Sequence, residues 1–148
     1  MASRHTILLA SDLSAASDRV AGGAIKLARS IGARVVTMHV VTQEAMAEAL
    51  RELPEDQSFV DVVVSHISQN LIEQVARIAD GEDIEVIAKV IEGTPEDEIL
   101  REIEQGDYAY TIIGVRNRSR VGKLILGSVT QEVLLGAHRP IVAVPTED

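Results

Sequence analysis

The chain has no cysteine and no tryptophan, and only one phenylalanine and two tyrosines. Without cysteine there are no disulfides, no thiolate catalysis and no cysteine-based metal site. So few aromatic rings leave no stacking platform for single-stranded nucleic acid, and they require an aliphatic core. Bases are scarce as well: the formal net charge is -9, and the pI near 4.9 argues against a general DNA-binding surface. The opening M-A-S-R-H-T lacks the long apolar region of a signal peptide, and the first apolar run, 7–10, is far too short to span a membrane. A cytoplasmic protein without membrane contact is the expectation. Internal repeats, low-complexity tracts and linkers are all missing. The four histidines are scattered with no pair at a metal-ligand spacing, so no metal site is assigned.

What is present is an ordinary globular composition, 46% hydrophobic and 25% charged. Its 148 residues are enough for one domain, 1–148, with a real core. Apolar runs alternate with helical periodicity along the whole chain. Strands are expected at 5–10, 33–41, 85–91, 109–113 and 141–144. Helices are expected from Ser14, the N-cap, to Gly32, then at 43–53, 58–80, from Thr94 to about Gly106, and from Ser128 to about Leu135. Thr94-Pro95-Glu96-Asp97 is a strong helix start, with proline in the first turn and acids near the positive end. Asp97, Glu98 and Glu102 read as a solvated helix face, and His39 as a satisfied core histidine. The third strand alternates in a way that suits a sheet edge. Strict βα alternation means an open parallel sheet with helices on both faces. The expected strand order is 3-2-1-4-5, with the ligand cleft outside the carboxyl ends of strands 1 and 4, where the direction of growth reverses.

The stretch 107–131, D-Y-A-Y-T-I-I-G-V-R-N-R-S-R-V-G-K-L-I-L-G-S-V-T-Q, falls at that cleft. The apolar run ends at Gly114, and a loop with Arg116, Arg118, Arg120 and Lys123 follows. No acid occurs between Asp107 and Glu132. A cationic loop in an acidic chain fits either an anionic ligand or a solvated surface balancing a neighbouring acidic helix. Gly122-Lys123 is not a P-loop, because Asn117 stands where its first glycine belongs and Leu124 where Ser or Thr would hold magnesium. No G-x-G-x-x-G follows any strand.

Gly114-x-x-Asn117, nine residues, then Gly127-Ser128 resembles the G-x-x-G-x9-G-[ST] signature of the universal stress protein family. The segments S-D-L-S at 11–14, H-V-V at 39–41, L-G-S-V-T at 126–130 and R-P-I-V-A-V at 139–144 resemble that family too, and the likeness is weakest over 42–65. It implies an adenine nucleotide alpha hydrolase-like fold that binds ATP, with or without magnesium. By position, Ala10, Ser11 and Asp12 would lie beside adenine and ribose, and Val40 would offer its backbone to the adenine edge. Ile113, Gly114, Arg116 and Asn117 would line ribose and phosphates. Gly127, Ser128, Val129 and Thr130 would hold the phosphates at a helix start.

That last assignment also has a physical basis. Gly127 removes a Cβ where phosphate approaches, and the hydroxyls of Ser128 and Thr130 can donate to its oxygens. Ser128 serves equally well as a plain N-cap. Asn117 replaces the second motif glycine; it tolerates a left-handed backbone, but its side chain would crowd the phosphates. Lys123 reads equally as a phosphate contact or a surface lysine. Asp12 has no adjacent nucleophile or histidine, so no catalytic residue is assigned. The expectation is a stress-response module that binds ATP with little or no turnover. The alternatives are an ATP-independent dimeric interaction protein of the same fold and a slow ATP hydrolase. The resemblance also implies a homodimer paired through the last strand, Ile141, Val142, Ala143 and Val144.

Overall fold

The computed structural model describes residues 5–53, 59–116 and 126–146. In chain order the elements are β1 (Thr6–Ala10), α1 (Ser17–Ile31), β2 (Arg34–Val41), α2 (Gln43–Arg51), α3 (Val60–Ala79), β3 (Val86–Glu92), α4 (Pro95–Gln105), β4 (Tyr110–Val115), α5 (Ser128–Gly136) and β5 (Ile141–Pro145). The five strands form one parallel sheet in the order β3-β2-β1-β4-β5.

Strand β1 is central and buried on both faces, as its uninterrupted apolar run requires. Ile7 and Leu9 pack with Val35 and Ile112 against α1 and α3, through Val20, Ala24, Ala28 and Val75. Leu8 faces the other way and joins Val36, Met38 and Val40 against Ile99 and Ile103 of α4 and Val133 of α5. Two aliphatic cores therefore flank the sheet. Each fully buried aliphatic side chain in them contributes roughly 1.5–3 kcal/mol.

Helix α1 ends where its apolar spacing ends: Gly32 takes φ 68 and the Ala33 N–H returns to the Ala28 carbonyl at 2.8 Å. Its start is not where the sequence pattern places it. Ala16, not Ser14, precedes the first helical residue; the Ser14 hydroxyl is turned back to Asp12 Oδ1, and the Ser17 N–H bonds the Ser14 carbonyl in a turn ahead of the helix. Strand β4 likewise runs through Gly114 to Val115, and Pro145 belongs to β5 rather than ending it. The exposed, alternating side chains of β3 fit its place at the edge.

Helix α4 differs from its expected solvated face. Glu102 is buried; it accepts both Lys89 Nζ contacts, at 2.8 and 2.7 Å, and the Tyr108 hydroxyl at 2.5 Å. Glu98 pairs with Arg101 at 2.6 Å, while Asp97 is exposed as expected. Charges under a sheet edge survive burial only when paired in this way.

Candidate functional site

The sheet reverses its direction of growth between β1 and β4, so their carboxyl ends diverge and leave a gap that side chains do not fill. A cavity of about 370 Å³ opens there, between the exits of β1, β2 and β4 and the start of α5.

Its first wall is the turn after β1. The Ser11 N–H donates to the Met38 carbonyl at 2.8 Å, and His39 Nδ1 lies 2.8 Å from the Ser11 carbonyl. A carbonyl oxygen only accepts, so the ring proton sits on Nδ1. Asp12 Oδ1 accepts the Ser14 N–H at 2.9 Å and the Ser14 hydroxyl at 2.6 Å, an Asx turn. Between them Leu13 takes φ 59, a left-handed conformation that costs a non-glycine residue about 1–2 kcal/mol. Its N–H reaches Ser11 Oγ at 3.2 Å.

The second wall is the end of β4. A Cβ on Gly114 would lie 2.8 Å from Val20 Cγ2 and 3.0 Å from Thr146 Cγ2. Glycine is favoured here by the close approach of side chains from α1 and from the chain leaving β5, whatever occupies the cavity. The Gly114 carbonyl accepts the Thr130 hydroxyl at 3.1 Å.

The third wall is the mouth of α5. Gly127, at φ -65 and ψ 158, is the N-cap and supplies no side chain to cap the helix. Ser128 is the first helical residue, so the N-cap role open to it from sequence falls to Gly127 instead. The first helical bond runs from Gln131 N to the Gly127 carbonyl at 2.9 Å. The N–H groups of Ser128, Val129 and Thr130 precede it and have no acceptor within the helix. No acid occupies the first turn. A Cβ on Gly127 would meet no atom of the described residues within 4 Å, so neither its backbone conformation nor packing against them demands glycine there.

Every cleft residue the sequence singles out that falls among the described residues lines this cavity: Ala10, Ser11, Asp12, Val40, Ile113, Gly114, Arg116, Gly127, Ser128, Val129 and Thr130. Asn117, Arg118, Arg120 and Lys123 lie outside the described residues. The hydroxyl proton of Thr130 is committed to Gly114 rather than offered to the cavity. Ser14, Ser17, Val20, His39, Pro95 and Thr146, to which the sequence assigns no cavity role, also line it. Only strand pairing brings His39 beside Ser11, and only the sheet order brings the end of β5 to β4.

Charge in the cavity is sparse. Asp12 and Arg116 are the charged residues among the described lining, and the remaining wall is largely aliphatic. Beyond the turn, Asp18 receives both terminal nitrogens of Arg77, at 3.1 and 2.9 Å. That hydrogen bonding, with a further one from Gln74, holds its carboxyl below the usual value of 3.8. Among the described residues, no group of three or more His, Asp or Glu side chains is placed to hold a metal ion. No described helix is long and apolar enough to cross a membrane.

An open parallel sheet in this order, with its cavity at the β1/β4 divergence, is the adenine nucleotide alpha hydrolase-like class of α/β fold. Within that class the chain belongs to the universal stress protein family, which it matches over residues 3–145. It is 24% identical to universal stress protein MJ0531 of Methanocaldococcus jannaschii over 140 residues, 93% of this chain and 80% of that protein. A universal stress protein solved in complex with cAMP superposes with a TM-score of 0.71 at 18% identity, covering 99% of this chain and 100% of that one. The Archaeoglobus fulgidus universal stress protein in complex with dAMP gives 0.60 at 19% identity, covering 97% and 99%.

Proposed function

We propose that this protein binds an adenine nucleotide in the β1/β4 cavity, with ATP the leading candidate, and turns it over slowly or not at all. The observation that carries the reading is the mouth of α5. Three backbone N–H groups open the helix beside a space where Gly127 leaves out a Cβ that no atom of the described residues replaces. A helix start of this kind favours a phosphate by hydrogen bonding and by its dipole. The aliphatic wall of Val40 and Ile113 and the carboxylate of Asp12, the one acid among the described lining residues, suit a purine and its sugar at the other end. Complexes of related proteins with cAMP and dAMP point the same way.

The residues present would hold the base and phosphates; any magnesium would arrive with the phosphates of the nucleotide. Slow turnover is supported by Asp12, the one acid among the described lining residues, whose Oδ1 is already committed to Ser14. A part in stress responses follows from the family name, and a homodimer through β5 is part of the same proposal.

Thermal unfolding with ATP, AMP and cAMP tests the reading. At one hundred times Kd a ligand adds about 2.7 kcal/mol, a rise of roughly 5–10 °C in Tm for a chain of this size. Gly127→Val should keep the fold and abolish the rise. If none of the three nucleotides moves the melting temperature at millimolar concentration, the reading is lost, and an interaction protein that uses no nucleotide takes its place.

A further inference from the structure

Helix α3 carries a buried polar residue on its apolar face. Leu71, Gln74 and Val75 are all buried, and Ile78 packs beside them. The helical pattern calls for an aliphatic side chain at 74, and the primary amide there stands out against it.

Its bonds explain its orientation. Gln74 Nε2 lies 2.7 Å from Ser17 Oγ and 3.0 Å from Asp18 Oδ1. A carboxylate only accepts, so the nitrogen must face this pair and Oε1 must face the other way. Oε1 in turn accepts the Ser11 hydroxyl at 3.3 Å. The Ser17 hydroxyl passes its own proton to the Ser14 carbonyl at 2.6 Å. One side chain from a distant helix thus reaches both ends of the turn 11–14, through Ser11 at its start and through Ser17 and Ser14 at its close.

That turn carries Asp12 into the cavity and holds Leu13 at φ 59. The Leu13 N–H is bonded to the same Ser11 oxygen that Gln74 orients. We propose that Gln74 is a positioning residue of the binding site: by gripping Ser11 and Ser17 together it fixes the turn that presents Asp12, and so sets nucleotide affinity without lining the cavity itself. The inference rests on the nucleotide-binding reading for its effect on affinity, but not for its effect on the turn.

Gln74→Leu, which keeps the volume and removes both amide functions, gives two readouts. Without ligand, amide hydrogen exchange at Leu13 and Ser14 should accelerate at least tenfold, while the central amides of β1 and β4 stay protected. With ATP as probe, well below the melting temperature, affinity should fall about tenfold, equal to about 1.4 kcal/mol. A Ser11→Ala background separates positioning from general weakening. If Gln74 works through Ser11, Gln74→Leu adds little there, whereas independent effects would multiply. Tyr108→Phe serves as the stability control, because it loosens a buried cluster behind the opposite face of the sheet and should leave ATP affinity unchanged.

Unchanged exchange at Leu13 and Ser14 would overturn the proposal. So would faster exchange with unaltered ATP affinity, or a loss of affinity matched by Tyr108→Phe. If wild-type protein binds no nucleotide, the functional reading fails and so does the affinity role of Gln74, while the exchange data still decide whether it holds the turn.

Discussion

At the scale of single residues, two glycines that look equivalent in the family signature do different work. Gly114 is enclosed, with Val20 and Thr146 within 3.0 Å of where its Cβ would stand. Gly114→Ala must push a branched side chain aside, and overpacking of that kind costs about 1–3 kcal/mol. Urea unfolding should show that loss with or without nucleotide. Gly127 is not enclosed by any described residue, and against those its replacement by valine costs at most about 1 kcal/mol, the N-cap preference for glycine. A motif read from sequence cannot separate these roles, since it records only that a Cβ is absent. Thr37 makes a third case. Its side chain is fully buried on β2, and its hydroxyl has no hydrogen-bond partner among the described residues. Thr37→Val removes an unpaired polar group at nearly constant shape and should raise unfolding stability by about 1 kcal/mol. A loss of that size instead would expose a partner for the hydroxyl in solution.

At the scale of elements, what could be read from the sequence was periodicity. The strands and helices follow from alternating apolar runs; the order 3-2-1-4-5 and the placing of the cleft are compatible with that alternation and with the edge-like third strand, and the structure has them. Contacts between elements were not legible. Glu102 looks solvated because its helical neighbours are acids. It is buried because Lys89 on β3 and Tyr108 after α4 converge on it, and neither pairing leaves a mark at local spacing. Ser14 looks like a cap because serine before a helical pattern usually is one, yet its hydroxyl is donated to Asp12 and the helix starts only at Ser17.

The Glu102 cluster has a consequence for pH. Burial, and then the hydrogen bond to Glu102, hold the Tyr108 phenol above its ordinary value of 10.0. The folded protein therefore keeps a proton that the unfolded chain releases. This stabilisation is fully present below about pH 10 and is lost as pH rises beyond it. Tyr108→Phe should be less stable at pH 7 by about 1.5 kcal/mol, and its stability should fall less steeply above pH 10. Urea midpoints at pH 7, 10 and 11 would show whether the two curves converge.

At the scale of the whole molecule, the open question is what covers the β5 edge. Among the described residues, strand β5 pairs with β4 on one side only. An unpaired apolar edge is a template for another chain, and a second copy pairing across a two-fold axis closes it without further growth. The direction of its hydrogen bonds shows how to test this. Thr111 N donates to the Pro140 carbonyl, and Thr146 N donates to the Val115 carbonyl. Backbone groups of Pro140 and Thr146 therefore point at β4, and with a period of two so do those of Val142 and Val144. Those of Ile141, Ala143 and Pro145 point outward. Pro145 lacks an N–H, which suits an outward position and confines any pairing to the strand before it. Ala143→Pro would remove an outward N–H and leave the β4 ladder intact. If the protein dimerises through this edge, wild-type chain at micromolar concentration should sediment as a dimer, and Ala143→Pro as a folded monomer with its nucleotide response retained. A wild-type monomer would refute pairing through β5, and a variant that stays dimeric would place the interface on another surface.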